Sequence, residues 1–194
     1  GGTVGAPSGA TLMLRYSLPP VVGPHAQLLI LGSMPGVRSL DTQQYYAQPR
    51  NAFWPIMGQW LGAGPEKSYD DRLEILQGNR IALWDVLEAC HRPGSLDAAI
   101  RVVDALPNDF EGFLATHSAI THVFFNGVAA AGLFQRLVVA RGLAPQRPIN
   151  YATLPSTSPA NARMRLGEKV EAWRKPLLPG AFPGQWGDVI PRGP

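Results

Sequence analysis

The residues of this chain best suited to chemistry fall in four short segments. Gly32-Ser33-Met34-Pro35-Gly36 sets two glycines around a hydroxyl and a proline. Glycine permits tight turning there and lets a ligand come close to backbone N–H groups. The segment is not a phosphate-binding P-loop, because no Gly-Lys-Ser/Thr ending follows. Nor is it a nucleophile elbow, because Ser33 does not sit midway between two glycines. Tyr45-Tyr46-Ala47-Gln48-Pro49-Arg50-Asn51-Ala52-Phe53-Trp54 gathers aromatic rings and amides. Rings supply stacking faces and an amide reads or polarises polar edges, so this segment suits a pocket for a flat heterocycle. It equally fits a core-facing helix that starts at Phe53 and Trp54, with Asn51 as its cap.

Phe124-Phe125-Asn126-Gly127 ends an apolar run in an amide, which carries both a donor and an acceptor and can recognise the edge of a base. The alternative for Asn126 is to cap the helix that follows. Leu154-Pro155-Ser156-Thr157-Ser158-Pro159-Ala160-Asn161 precedes Arg163, Arg165, Lys169, Arg174 and Lys175. Hydroxyls and N–H groups at a helix start, backed by basic side chains, can hold phosphates. A serine-rich cap on a solvated helix is the other reading. His25, His91, His117 and His122 show no ligand spacing, so no metal site is expected. Asp85 follows a strand candidate and could reach a cleft as a base; Asp41, in the first connecting loop, could do the same.

These segments need elements to position them. Gln27–Leu31, Arg80–Trp84, Thr121–Phe125 and Ile149–Leu154 read as strands, from short apolar or β-branched runs bounded by turn residues. Ala52–Leu61 and Val128–Arg141 carry helical spacing, Arg72–Gln77 reads as the end of a second helix, and Asn108–Thr116 looks helical with Asn108 as a cap. Pro159 is expected to open a last helix reaching Lys175, since proline is tolerated in a first turn. Strands alternating with helices imply an α/β fold: a three-layer α/β/α sandwich around a short, mainly parallel four-stranded sheet. Ligands in such sheets bind at the carboxyl ends of the strands, where the loops after Leu31, Phe125 and Leu154 lie.

Composition narrows the class. The 194 residues suffice for one domain, with 45% hydrophobic and 16% charged residues. Gly and Pro crowd the ends, so residues 1–10 and 178–194 read as tails around a domain at 11–177. One cysteine, Cys90, excludes an internal disulfide, a cysteine-based zinc site and an iron–sulfur cluster. No apolar run approaches the roughly 18 residues of a membrane span, and no signal-peptide pattern opens the chain, so a soluble, cytoplasmic protein is expected. Charge is uneven. Residues 66–111 carry five basic against ten acidic side chains, and residues 112–194 carry nine against three. Of the 17 basic residues 14 are Arg, which suits forked contacts with phosphate oxygens. One face meeting an anionic partner such as nucleic acid is one reading, an ordinary basic surface the other.

Taken in order, Gly32-Ser33-Met34-Pro35, Ser39-Leu40, Tyr45-Tyr46, Pro49-x-Asn51-x-Phe53-Trp54, Phe124-Phe125-Asn126-Gly127 and Leu154-Pro155-Ser156-Thr157-Ser158-Pro159 resemble the uracil-DNA glycosylase superfamily. They are most similar to its hypoxanthine-DNA glycosylase branch. The chain departs from the wider superfamily at Met34, where Asp or Asn commonly holds the attacking water, and at Leu154, where His or Asn often precedes Pro-Ser. The resemblance implies a monofunctional DNA glycosylase that hydrolyses the N-glycosidic bond of a flipped deaminated base, hypoxanthine first and xanthine second. It implies catalytic roles for Asn51, positioning water, and Asn126, bonding the base edge. Substrate would meet Gly32, Ser33, Met34, Pro35 and Tyr46, with Phe53 stacking on the base. Ser156, Thr157, Ser158, Asn161, Arg163 and Arg165 would contact DNA. No cofactor is implied, and a monomer acting on duplex DNA is expected. A neutral amide is a poor base, so bond breaking should run ahead of water attack, with backbone N–H groups near Ser33 stabilising the departing base. The competing expectations are a mismatch-type uracil/thymine glycosylase, a non-catalytic DNA-binding relative and a mononucleotide-binding protein of flavodoxin-like architecture.

Overall fold

The structure, a computed structural model, describes residues 13–177. The two expected tails lie outside the described residues, as do positions 11 and 12 of the expected domain. The central sheet is built from the apolar runs seen in the sequence: β2 (Leu28–Gly32), β3 (Ile81–Asp85), β6 (His122–Asn126) and β7 (Asn150–Leu154). Their order is β3-β2-β6-β7 and every pairing is parallel. All five residues of β2 and of β3 are buried, which explains why they read as unbroken apolar runs rather than alternating ones. Edge strand β7 is largely exposed and ends on buried Leu154.

Each face of the sheet has its own core. Leu29, Leu31, Ala82, Trp84, Val123 and Phe125 pack with α4 (Phe110–Thr116) and α5 (Val128–Phe134). Leu28, Ile30, Ile81, Leu83 and Phe124 pack on the other side with Phe53, Ile56 and Met57 of α2 (Phe53–Leu61) and Leu76 of α3 (Tyr69–Gly78). Trp173, after α6 (Leu166–Ala172), and Leu177 of α7 (Arg174–Leu177) complete that face. The result is the expected three-layer sandwich. A fully buried Leu or Ile side chain contributes about 1.5–3 kcal/mol, so the sheet centre supplies much of the fold's stability.

Several local expectations are corrected. Asp109, not Asn108, caps α4 by accepting from Gly112 N, while Asn108 Nδ2 donates to Asp85 O. No helix opens at Pro159; α6 begins at Leu166 with Arg165 as its N-cap residue. The helix after Asn126 passes from α5 into a π-helical turn at Gln135–Val139. A short helix, α1 (Val37–Thr42), interrupts the stretch expected to be loop. A second, antiparallel sheet joins β1 (Leu14–Tyr16), β4 (Leu87–His91) and β5 (Leu106–Pro107) in the order β1-β4-β5. Only Val86 separates β3 from β4, so the chain changes sheet in one residue, where Val86 N donates to Gly32 O. Among the described residues no helix is long and apolar enough to cross a membrane.

Candidate active site

The carboxyl ends of the strands set four residues in a row. Gly32 pairs with Asp85, and Asn126 pairs with Leu154. The pairing of Leu31 with Phe125 brings Gly32 level with Asn126. Side chains alternate along a strand, so Asp85 and Asn126 share the face of Leu83 and Phe124, the face covered by Phe53, Trp54 and Trp173. Between them Gly32 offers no side chain. A carbon added there would collide with Asp85 Oδ1 and come within 3.2 Å of the Tyr46 hydroxyl. Bare glycine therefore leaves a slot that the Asp85 carboxyl and the Tyr46 hydroxyl occupy, with the Asn126 amide on the next strand.

An aromatic ring fills that slot. Tyr46 stacks on Phe53 with centroids 4.0 Å apart and planes 24° off parallel. Trp54 and Trp173 meet Phe53 edge-on. Phe53 is fully buried, so it presents no open face while Tyr46 is in place. The Tyr46 hydroxyl is buried without a hydrogen-bond partner. Burial, then the charge of Asp85, holds this phenol above its ordinary pKa, and the nearby Asn126 amide opposes the shift in part. Asp85 Oδ2 is likewise buried and unpartnered. Burial pushes the Asp85 carboxyl up to about 7, Asp97 adds to the shift and Arg92 opposes it.

The two amides are held differently. Asn51 Oδ1 accepts the Phe53 backbone N–H at 2.9 Å, so this side chain braces the start of α2, whose N-cap residue is Ala52. Asn126 makes no cap for α5. Its Nδ2 donates to Thr157 Oγ1 and its Oδ1 accepts from Thr157 N, each at 2.9 Å. One amide hydrogen and one lone pair of Asn126 stay available beyond this pair. Thr157 is buried and also accepts from Ala52 N through its carbonyl. Thr157 is thus a brace between the strand-end amide, held by its hydroxyl and N–H, and the aromatic segment, held by its carbonyl.

The glycine loop is clamped rather than free. Ser33 Oγ donates to Asp97 Oδ1 at 2.5 Å, and its backbone carbonyl accepts from Leu87 N. Arg92 donates to the carbonyls of Pro35 and Gly94, and Ser95 Oγ accepts from Val37 N. Met34 is buried in the core shared with α4 and α5. Arg92, Ser95 and Asp97 are positioning residues that sequence reading missed. Ser33 and Asp97 are 64 positions apart, and nothing in their spacing marks them. β4 does not alternate cleanly, since Ala89 and Cys90 are both buried, so little in the sequence marks it or the loop it delivers. Asp41 stands at the surface beside Arg15, 3.9 Å away.

The late loop braces itself. Ser156 Oγ accepts from Ser158 N, Ser158 Oγ accepts from Ala160 N, and Asn161 Nδ2 donates to Ser156 O. From behind, Lys169 Nζ donates to Ser158 O and Trp173 Nε1 to Pro155 O. Lys169 and Trp173 lie four apart, hence on one helical face. Arg163 and Arg165 follow the loop as exposed side chains. Some of the basic excess is structural: Arg147 donates to the carbonyls of Leu114, His117 and Ile120.

The fold is a parallel α/β sheet whose strand ends carry a stacked aromatic pair, an oriented amide and a hydroxyl-rich loop. The chain belongs to the uracil DNA glycosylase superfamily, whose family model matches residues 19–177. It is 35% identical over 160 residues to the hypoxanthine DNA glycosylase of Methanosarcina acetivorans, covering 82% of this chain and 96% of that protein. It is 36% identical over 154 residues to the hypoxanthine DNA glycosylase of Methanosarcina barkeri, covering 78% and 90%. A solution NMR structure from Methanosarcina acetivorans, described under the uracil DNA glycosylase heading, matches with TM-score 0.65 and 35% identity over 84% of this chain and 98% of that one.

Proposed function

We propose that the protein is a monofunctional DNA glycosylase that hydrolyses the N-glycosidic bond of hypoxanthine flipped out of DNA, with xanthine as a second substrate. The observation that carries this reading is the match, across 90% or more of their length, to two proteins named for hypoxanthine release. The site supports it. A glycosidic bond is unreachable in the stacked duplex, so the nucleotide must be extruded, at a cost of about a few kcal/mol. The late loop and Arg163 and Arg165 take the flanking phosphates. The base enters over Gly32, displaces the Tyr46 ring from Phe53 and stacks in its place. Asn126, held by Thr157, turns its remaining donor and acceptor to the base edge. Asn51 positions water through the amide hydrogens that its brace to Phe53 leaves over.

The test is alkali-revealed strand cleavage of duplexes carrying hypoxanthine, xanthine or uracil, with wild type and Asn51→Ala. Cleavage at hypoxanthine that fails in the variant is the expected result. Cleavage at uracil alone would move the protein to the mismatch type. DNA binding without any cleavage would make it a binding module.

A further inference from the structure

Resting on that functional reading, we propose that Asp85 is the proton donor to the departing base, passing its proton to a ring nitrogen of a purine seated over Gly32 between Asp85 and Asn126. Neither Asn51 nor Asn126 can do this work, because an amide does not give up a proton at neutral pH.

Geometry puts Asp85 in position. Its register partner is Gly32, so its carboxyl stands at the carboxyl end of β3 on the aromatic face, with Oδ1 in the space that the missing Gly32 side chain leaves. Asp85 is 3% exposed and its Oδ2 has no hydrogen-bond partner. Buried carboxyl groups are ordinarily paired or hydrogen-bonded, so an orphaned oxygen at a strand-end cleft needs a partner that arrives later. The Tyr46 hydroxyl, held next to the same glycine, is orphaned too. A base whose polar edge replaces that hydroxyl satisfies the carboxyl. Tyr46 carries φ of 55°, a backbone state uncommon for large side chains, so packing and not local preference holds the ring where it is.

The charged and titratable groups facing Asp85 come from two segments. Arg92 and Asp97 follow β4; Tyr45 and Tyr46 follow α1. Arg92 favours the carboxylate; its Nε and Nη2 bond the carbonyls of Gly94 and Pro35, and its Nη1 is buried without a partner. Asp97, bonded to Ser33, works against ionisation. With burial dominant, the carboxyl keeps its proton up to about pH 7, where a general acid is most effective.

The step balances without any further reactant. The bond from the sugar carbon to the base nitrogen breaks and its electron pair moves into the purine ring. The proton on Asp85 Oδ2 goes to a ring nitrogen. A water oxygen bonds to the sugar carbon, and its surplus proton returns to the Asp85 carboxylate. The products are the neutral base and an abasic sugar.

Single-turnover release of hypoxanthine and of xanthine, measured across pH with the full chain and with Asp85→Asn, tests this. Wild type should be level in acid and lose about tenfold per pH unit above roughly pH 7. Asp85→Asn should release hypoxanthine about 100-fold or more slowly and lack that alkaline fall. Its deficit should be smaller on xanthine, whose second carbonyl makes a better leaving group. A variant with the wild-type rate and profile overturns the donor role, as does an equal deficit on both bases with an unchanged profile. If the variant fails to show the wild-type melting transition, the wild-type profile decides alone, and a level rate through about pH 9 overturns the proposal. Wild type that releases no hypoxanthine overturns the functional reading as well.

Discussion

Asn126 and Thr157 grip each other through two hydrogen bonds of 2.9 Å, amide to hydroxyl and backbone N–H to amide. This pair ties the end of β6 to the loop after β7, and Thr157 O extends the tie to Ala52, at the start of α2. The amide therefore has a single orientation, settled by a side chain 31 positions away. Thr157→Val keeps the volume and removes the hydroxyl. It should cost about 1–2 kcal/mol of stability and slow base release about tenfold or more through a misplaced Asn126. Thr157→Ser should restore the rate. Urea denaturation and single-turnover kinetics on the same preparations check both effects.

Gly127 follows Asn126 with φ of 96°, and a side-chain carbon there would lie 2.8 Å from Ser156 Cβ. Gly127→Ala combines a left-handed strain with a clash against the late loop. A loss of about 1–3 kcal/mol is expected from the backbone alone, read as a lower urea midpoint. Because the clash pushes on Ser156, affinity for DNA should fall as well.

Burial of Asp85 links stability to pH. Its folded pKa, about 7, lies above the 3.8 of an unhindered carboxyl, so the folded state holds the proton more tightly than the unfolded chain. The stabilising contribution is complete below about pH 4 and is lost as pH rises to 7, by up to about 1.4 kcal/mol per unit. Asp85→Asn cannot ionise. Relative to wild type it should gain up to a few kcal/mol between about pH 4 and 7 and hold that gain above. Denaturation midpoints of both proteins across this range measure the difference, and parallel curves would refute the linkage.

Arg163 and Arg165 are exposed on the chain that leaves the late loop. If both meet phosphates, Arg163→Ala with Arg165→Ala should reduce the slope of log affinity against log salt by about 2. The weakening should be the same for damaged and undamaged duplexes, since phosphate contacts carry no base information. Fluorescence anisotropy at several salt concentrations gives the slope.

The four central strands were legible because each is an apolar run between turn residues, and burial on both faces leaves little else such a run can be. α2 was legible through its spacing and α3 only in its later residues, and the chain order of the site segments already pointed to the superfamily. Less was legible where the chain obeys distant partners. Pro159 is acceptable in a helix start, yet Ser156, Ser158 and Asn161 bond locally and Lys169 and Trp173 pin the loop, so no helix forms there. Asn108 is a good cap by type, but Asp85 O draws its amide away and Asp109 caps instead. β1, β4 and β5 are short and cross-paired, and β4 pairs on one side with β1, more than seventy positions earlier.

By itself the sequence determined the layer architecture and the amides and rings of the site, because hydrophobic period and residue chemistry are local properties. Only the tertiary structure decided which of those groups meet. Register placed Asp85, Gly32 and Asn126 in one row, with the missing side chain of Gly32 making the space between them. Packing put Tyr46 on Phe53, took Thr157 from the surface to the interior and left the Asp85 carboxyl without a partner. Those outcomes depend on desolvation and on contacts outside the local pattern, most of them between residues dozens of positions apart, and both come into being only when the strands assemble.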